Sequence, residues 1–179
     1  MADGPAPSSS RKRRGAQSSV IVYAAQCEAC FKWRMIPTQE EFEELRSRFI
    51  EDPFICNKKA NVSCNDPADL EYDNTRIWAI DKPNLPKTPE GFQRELVLRK
   101  DFSKMDAYYN TPDGKKLRAS SGVASFLETH PDFQGLSVSD FSFTSPKIMP
   151  DTIPGNVEKK VSTTAKKEIK ALKYRDEDA

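Results

Sequence analysis

The chain has 179 residues, 37% of them hydrophobic and 31% charged, with 13 prolines, 7 glycines and a formal charge of +1. That supplies one or two small cores rather than one large one, and small cores need staples. The near-neutral charge excludes a grip on nucleic acid by bulk charge, so any contact needs a locally basic face, and no run of about 18 apolar residues is present to span a membrane.

Residues 1–19, rich in Pro, Ser, Ala and Arg, have nothing to bury and read as a disordered basic arm. Within it Arg11, Lys12, Arg13 and Arg14 suit the acidic groove of a nuclear-import receptor, or serve simply as a solubilising arm. The apolar stretch of a secretory signal is lacking, which points to a reducing compartment where cysteines seldom pair as lasting disulfides. The β-branched Val20–Val22 predicts a short strand leading into the first cysteines. After Pro37, TQEEFEELRSRFIED predicts a helix, with Thr38 as cap, Glu41 completing a capping box, and Pro53 as its end. Phe42, Leu45, Phe49 and Ile50 give that helix one apolar face. Residues 54–64 carry the second cysteine pair, and 65–75 are loop-like. Residues 20–80 as a whole are acidic, with seven positive and eleven negative side chains.

Pro83, Pro86 and Pro89 make 76–89 an extended connector, and Trp78 and Ile80 within it are apolar enough to dock it onto a neighbouring module. From Phe92 the pattern changes. FQRELVLR predicts a strand, KMDAYYN a second, TPDG a turn and KKLR a resumed strand. SSGVASFLETH predicts a short helix capped by Ser120 or Ser121, with Val123, Phe126 and Leu127 facing inward. Phe133, Leu136, Val138, Phe141 and Phe143 suggest a packed, irregular lid, and 151–179 reads as a polar, mobile tail. Positive and negative charges balance at ten each over 81–157.

Cys27 and Cys30 stand as C-x2-C; twenty-five residues later Cys56 and Cys64 stand as C-x7-C. Structural zinc takes four ligands in a tetrahedron, and thiolates suit it. Lys32, Arg34, Lys58 and Lys59 lie close enough in sequence to offset the charge of four thiolates. A redox pair would need its C-x-x-C at a helix N-terminus in a βαβ unit, which Pro37 forbids; four unrelated buried cysteines are the other alternative.

Residues 20–80, carried by QCEACFKWRMIP, FICN and SCNDP, resemble the CW-type zinc finger. The resemblance implies one Zn2+ held by Cys27, Cys30, Cys56 and Cys64, and methyl-lysine contact by Trp33 on a histone H3 tail through cation–π attraction. The family's other tryptophans fall on Ala24 and Phe54, so one wall of such a cage is missing.

Residues 83–145, carried by TPEGFQRELVLRK, KMDAYYNTPDGKKLRASSGVASFL and DFSF, resemble a methyl-CpG-binding domain. The two together resemble plant methyl-CpG-binding-domain proteins with an N-terminal CW module. The resemblance implies an α+β fold: a small zinc-bound module over 20–75, then a small antiparallel sheet packed on one helix over 90–150. Arg99 and Arg118 match the base-reading arginines, Asp106 the residue that holds the first of them, and Tyr108 the tyrosine near the methyl group. Lys100, Lys104, Lys115 and Lys116 are phosphate-contact candidates, which position without specifying. Two arginines suit a CpG step because each guanine presents O6 and N7 to one bidentate guanidinium. The same arginines would also fit a solvated strand face paired with Asp106.

The stretch KDFSKM between Arg99 and Asp106 is short and acidic for a loop along a DNA backbone, and Ala119 replaces the family's serine after Arg118. Two functions follow: a nuclear DNA-binding chromatin protein that reads CpG, or a non-catalytic adaptor that docks histone tails and other chromatin proteins. Catalysis is not expected: no phosphate-cradling loop is present, no nucleophile has an evident base, and the single histidine, His130, sits at a helix end.

Overall fold

The computed structural model describes residues 18–155; the basic cluster Arg11, Lys12, Arg13 and Arg14 and the tail beyond residue 155 lie outside them. Two antiparallel strands, β1 (Tyr23–Gln26) and β2 (Trp33–Ile36), pair from Tyr23↔Ile36 to Gln26↔Trp33. Alternation turns Arg34 and Ile36 inward and leaves Met35 outside. The strand expected at Val20–Val22 thus begins three residues later. Ser18–Val20 is occupied elsewhere: Ser19 N–H donates to the Leu96 carbonyl at 2.7 Å, and Val20 packs in the cluster around Leu96.

Helix α1 (Gln39–Ser47) starts where the sequence predicts, with Thr38 Oγ1 accepting the Glu41 N–H at 3.2 Å. Phe42, Leu45 and Phe49 pack against Ala25, Ile36 and Phe54. Ile50 does not join them: the helix stops at Ser47, the chain turns, and Ile50 is exposed. The residues of α1 that are most deeply buried are charged, Glu43 and Arg46.

Strand β3 (Ala79–Ile80) pairs with β7 (Lys147–Ile148). Between them in sequence, β4 (Gln93–Leu98), β5 (Met105–Asn110) and β6 (Lys116–Leu117) form an antiparallel sheet in that order. Gly91 leads into β4 at φ +85, with Pro112 Cγ only 3.1 Å from where a Cβ would stand, so the turn requires glycine. One face of the sheet packs on α2 (Ser120–Thr129) through Tyr109, Leu117, Val123 and Phe126. Helix α2 begins after Ala119 with no side-chain cap, so neither Ser120 nor Ser121 serves as one. Phe133, Leu136, Val138, Phe141 and Phe143 close this core as expected, and the Tyr109 hydroxyl donates to the Ser142 carbonyl at 3.1 Å. The architecture is α+β, a four-cysteine module joined to a sheet-and-helix module.

The connector is part of the packing. Trp78 is buried and packs at a tilt against Trp33, 4.9 Å between ring centroids, and against Tyr72 at 5.1 Å, while Ile80 stays exposed. Asp81 accepts from Arg46 Nη1 of α1 at 2.8 Å and from Arg94 Nη1 of β4 at 2.8 Å. Arg46 also reaches the Pro86 carbonyl and Arg94 the Thr144 carbonyl. Glu43 accepts the Thr88 N–H at 2.8 Å, and Gln39 Nε2 links Glu43 to the Arg94 carbonyl. Thr152 and Ile153, which composition puts in the polar tail, are buried as well: Thr152 Oγ1 accepts the Trp78 N–H. The two modules therefore share one continuous polar and aromatic junction.

Candidate metal centre and nucleic-acid interface

The first site grows from a turn. Cys27 ends β1, Phe31 N–H donates back to the Cys27 carbonyl at 2.8 Å, and Phe31 takes a left-handed φ of 58. This aims Cys27 and Cys30 the same way. Cys56 opens a short 3-10 turn after α1, and Cys64 returns from the following loop. All four sulfurs lie within 4.8 Å of one another, with Cys27 and Cys64 3.8 Å apart and Cys30 and Cys56 3.6 Å apart. A tetrahedron with Zn–S bonds of about 2.3 Å has edges of about 3.8 Å, so the set fits zinc.

Electrostatics agree. Burial pushes the Cys27 thiol up, but hydrogen bonds from the backbone of Cys30, Cys56 and Ala29 outweigh it and bring it to about 6. The neighbouring sulfurs of Cys30 and Cys27 push Cys64 up to about 12. Sulfurs this close cannot all ionise without a cation among them. The cluster is compatible with Zn2+, and four protein ligands would leave no open position, which suits a structural role.

Arg34 secures the site from inside. It is 1% exposed, and its Nε donates to Cys56 Sγ at 3.2 Å. Its two Nη groups bind the carbonyls of Pro67, Ser63 and Asp66 and the carboxylate of Asp69. Of the other cations expected to offset the thiolates, Lys32 donates to the Cys64 carbonyl at 2.7 Å. Lys58 and Lys59 do not face the sulfurs; they pair with Asp52 and Asp69, whose carboxylates are nearer to their own loops.

Trp33 is half-buried, with Trp78 packed at a tilt against it. Neither expected cage position can assist it. Ala24 has no ring, and Phe54 is buried in the cysteine module's core. Tyr23 packs on Phe42 instead, at 5.2 Å.

The second site is the outer face of the sheet. The register pairs Val97 with Asp106 and Glu95 with Tyr108, so alternation sends Glu95, Val97, Asp106, Tyr108 and Asn110 to the face opposite α2, with Arg99 following Val97 in the same phase. Lys116 and Arg118 continue it from β6. Arg99 grips Asp106 with both ends of its fork, Nε to Oδ2 at 2.9 Å and Nη2 to Oδ1 at 3.0 Å. Those bonds hold the Asp106 carboxyl below the usual aspartate range. Arg118 is exposed and stands 5.3 Å from the centre of the Tyr108 ring. Among the described residues no carboxylate lies within ion-pair reach of it.

The lysines divide. Lys100 is exposed, Lys104 lies 3.8 Å from Asp106, and Lys115 lies 3.9 Å from Asp113. Lys116 is different: its ammonium is 3.0 Å from the carboxylate of Glu95 and 5.0 Å from the Tyr108 ring centre, so it presents no unpaired charge. Asp101 in the short turn is turned inward on its own loop, accepting from Ser103 N–H and Oγ. His130 caps α2, with Nδ1 2.7 Å from the Phe126 carbonyl oxygen. Sequence reasoning missed Glu95 on this face and Glu43, Arg46, Asp81 and Arg94 at the junction. Strand phase from Arg99 identifies Glu95; nothing local identifies the junction.

Comparison with known proteins covers both modules. Residues 23–70 match the CW-type zinc finger family, and residues 78–151 match the methyl-CpG binding domain family. The chain is 54% identical over 150 residues to methyl-CpG-binding domain-containing protein 4 of Arabidopsis thaliana, covering 84% of this chain and 81% of that protein. It is 54% identical over 139 residues to methyl-CpG-binding domain-containing protein 1 of the same plant, covering 78% of this chain and 68% of that protein. Methyl-CpG-binding domain protein 2 of Homo sapiens is 34% identical over 79 residues, 42% of this chain and 18% of that protein. No solved structure matches the chain at a significant level.

Proposed function

Because the chain belongs to the plant methyl-CpG-binding-domain proteins that carry an N-terminal CW-type zinc finger, and is thereby a DNA- and chromatin-binding protein, we propose that it works in the nucleus as a non-catalytic reader of CpG steps, with preference for the methylated form. The observation that carries this is the common face of Arg99, Asp106, Tyr108 and Arg118. Arg99 is held rigid by a bidentate partner, so its remaining N–H groups reach a guanine edge without first losing side-chain freedom. Arg118 extends over Tyr108 and supplies the guanidinium for the opposite strand. The Tyr108 ring, beside Arg118 on this face, supplies the surface for the cytosine methyls. Lys100, Lys104 and Lys115 serve as the phosphate contacts in this reading.

Short duplexes with methylated, unmethylated and no CpG, titrated at one fixed salt concentration, test this. Arg118→Ala and Arg99→Ala each cost about 1–3 kcal/mol of discrimination for the methylated duplex and little of the binding to the CpG-free one. Equal affinity of wild type for all three duplexes overturns the proposal. The balanced charge of 81–157 and the short acidic turn favour a second function, an adaptor that docks histone H3 tails or other chromatin proteins, with Trp33 as a contact. Equal, weak binding by wild type and Arg118→Ala at low salt selects it.

A further inference from the structure

Resting on the DNA-reading face just described, we propose that Glu95 is a specificity-determining residue: it withdraws Lys116 from phosphate binding and pins it under Tyr108. A carboxylate on a face meant for DNA is unexpected, and this one is not solvated. Glu95 is 3% exposed, directly opposite Tyr108 in the β4–β5 register. Asn110 Nδ2 donates to its Oε2 at 2.8 Å, and Lys116 Nζ donates to its Oε1 at 3.0 Å. Lys116 keeps only 24% of its side-chain surface, and its ammonium also faces the Tyr108 ring. One anion and one cation thus cancel beside Tyr108, in the part of the face that Arg118 shares, while Arg99 lies toward the Asp106 end.

Phosphate contacts raise affinity for every sequence alike, whereas base contacts raise it for one. Removing this lysine from the phosphate tally lowers binding to competitor DNA more than binding to the right step, and so raises the ratio between them. The same carboxylate holds the Lys116 ammonium over the Tyr108 ring, so Glu95 acts through these two residues and is a positioning residue, not a contact.

The salt dependence of binding reads this out. Each phosphate newly neutralised steepens the slope of log K against log salt by about 0.9. Glu95→Gln keeps the size but offers one acceptor oxygen where the carboxylate offers two, and it leaves Lys116 charged without a counter-ion. Its expected result is tighter binding to all duplexes, a slope steeper by about 0.9, and a smaller ratio of CpG to CpG-free affinity. Lys116→Gln in the wild-type background leaves the slope unchanged, and added to Glu95→Gln it cancels the gain. Lys116→Gln keeps the question answerable if Glu95→Gln does not fold. An unchanged slope in folded Glu95→Gln, or a shallower slope in Lys116→Gln alone, overturns the role of Glu95 while wild-type CpG preference stands. Wild type that binds every duplex alike overturns the reading of the face instead, and if Glu95→Gln then matches wild type, both fall.

Discussion

Asp81→Asn is the substitution that most directly tests whether the two modules are one folding unit. Its carboxylate is 6% exposed and is shared by two guanidiniums, Arg46 at 4% and Arg94 at 2%. Both Nη1 atoms bind the same Oδ2 at 2.8 Å, so they stand at most twice 2.8 Å apart. With the anion gone, two cations at that separation repel by about 3 kcal/mol at an effective dielectric of about 20. Each keeps one carbonyl, of Pro86 or Thr144, but both guanidiniums remain buried. Breaking a buried ion group by removing one partner costs about 3–5 kcal/mol, and the same range is expected here. Guanidinium denaturation followed by tryptophan fluorescence is the assay, because the two tryptophans, Trp33 and Trp78, pack against each other at this junction. The wild type unfolds in one transition; Asp81→Asn shifts its midpoint down by the stated free energy. A loss under about 1 kcal/mol, or separate transitions for the two modules in wild type, refutes the reasoning. Replacing Arg46, Asp81 and Arg94 together by apolar residues of similar volume is expected to cost far less than Asp81→Asn alone.

Chelation of zinc removes an apparent stabilisation on the order of 10 kcal/mol from the cysteine module. Because α1 carries Glu43 and Arg46 into the junction, the sheet module's melting temperature falls with it, which circular dichroism before and after chelation detects; an unmoved second transition contradicts this. The Arg99 hydrogen bonds depress the Asp106 carboxyl in the folded chain. The Arg99–Asp106 brace is therefore complete above the ordinary aspartate range and is lost only as pH falls through the depressed value. A carboxyl NMR titration shows a midpoint below that range in wild type and a return toward it in Arg99→Gln.

The zinc ligands and the two modules were legible in the chain itself. Cysteine spacing is local information, and a turn such as QCEACFKWR carries its own geometry in a few neighbouring residues. The same holds for Thr38 at the start of α1 and for the alternation that sets Arg99, Asp106, Tyr108 and Arg118 on one face. Long-range pairing of charges was not legible. Glu43 and Arg46 lie on a charged helix whose pattern says only that the side opposite Phe42 and Leu45 is polar; their partners across the junction stand 35 to 45 residues away. That Trp78 docks is expected from its apolarity and it is buried; that it meets Trp33 and Thr152 is decided by the fold. Periodicity reports which face of one element is apolar, since water is the common alternative for every residue. Whether a charged face meets water or an opposite charge depends on what the rest of the chain brings to it, and only the assembled fold decides that.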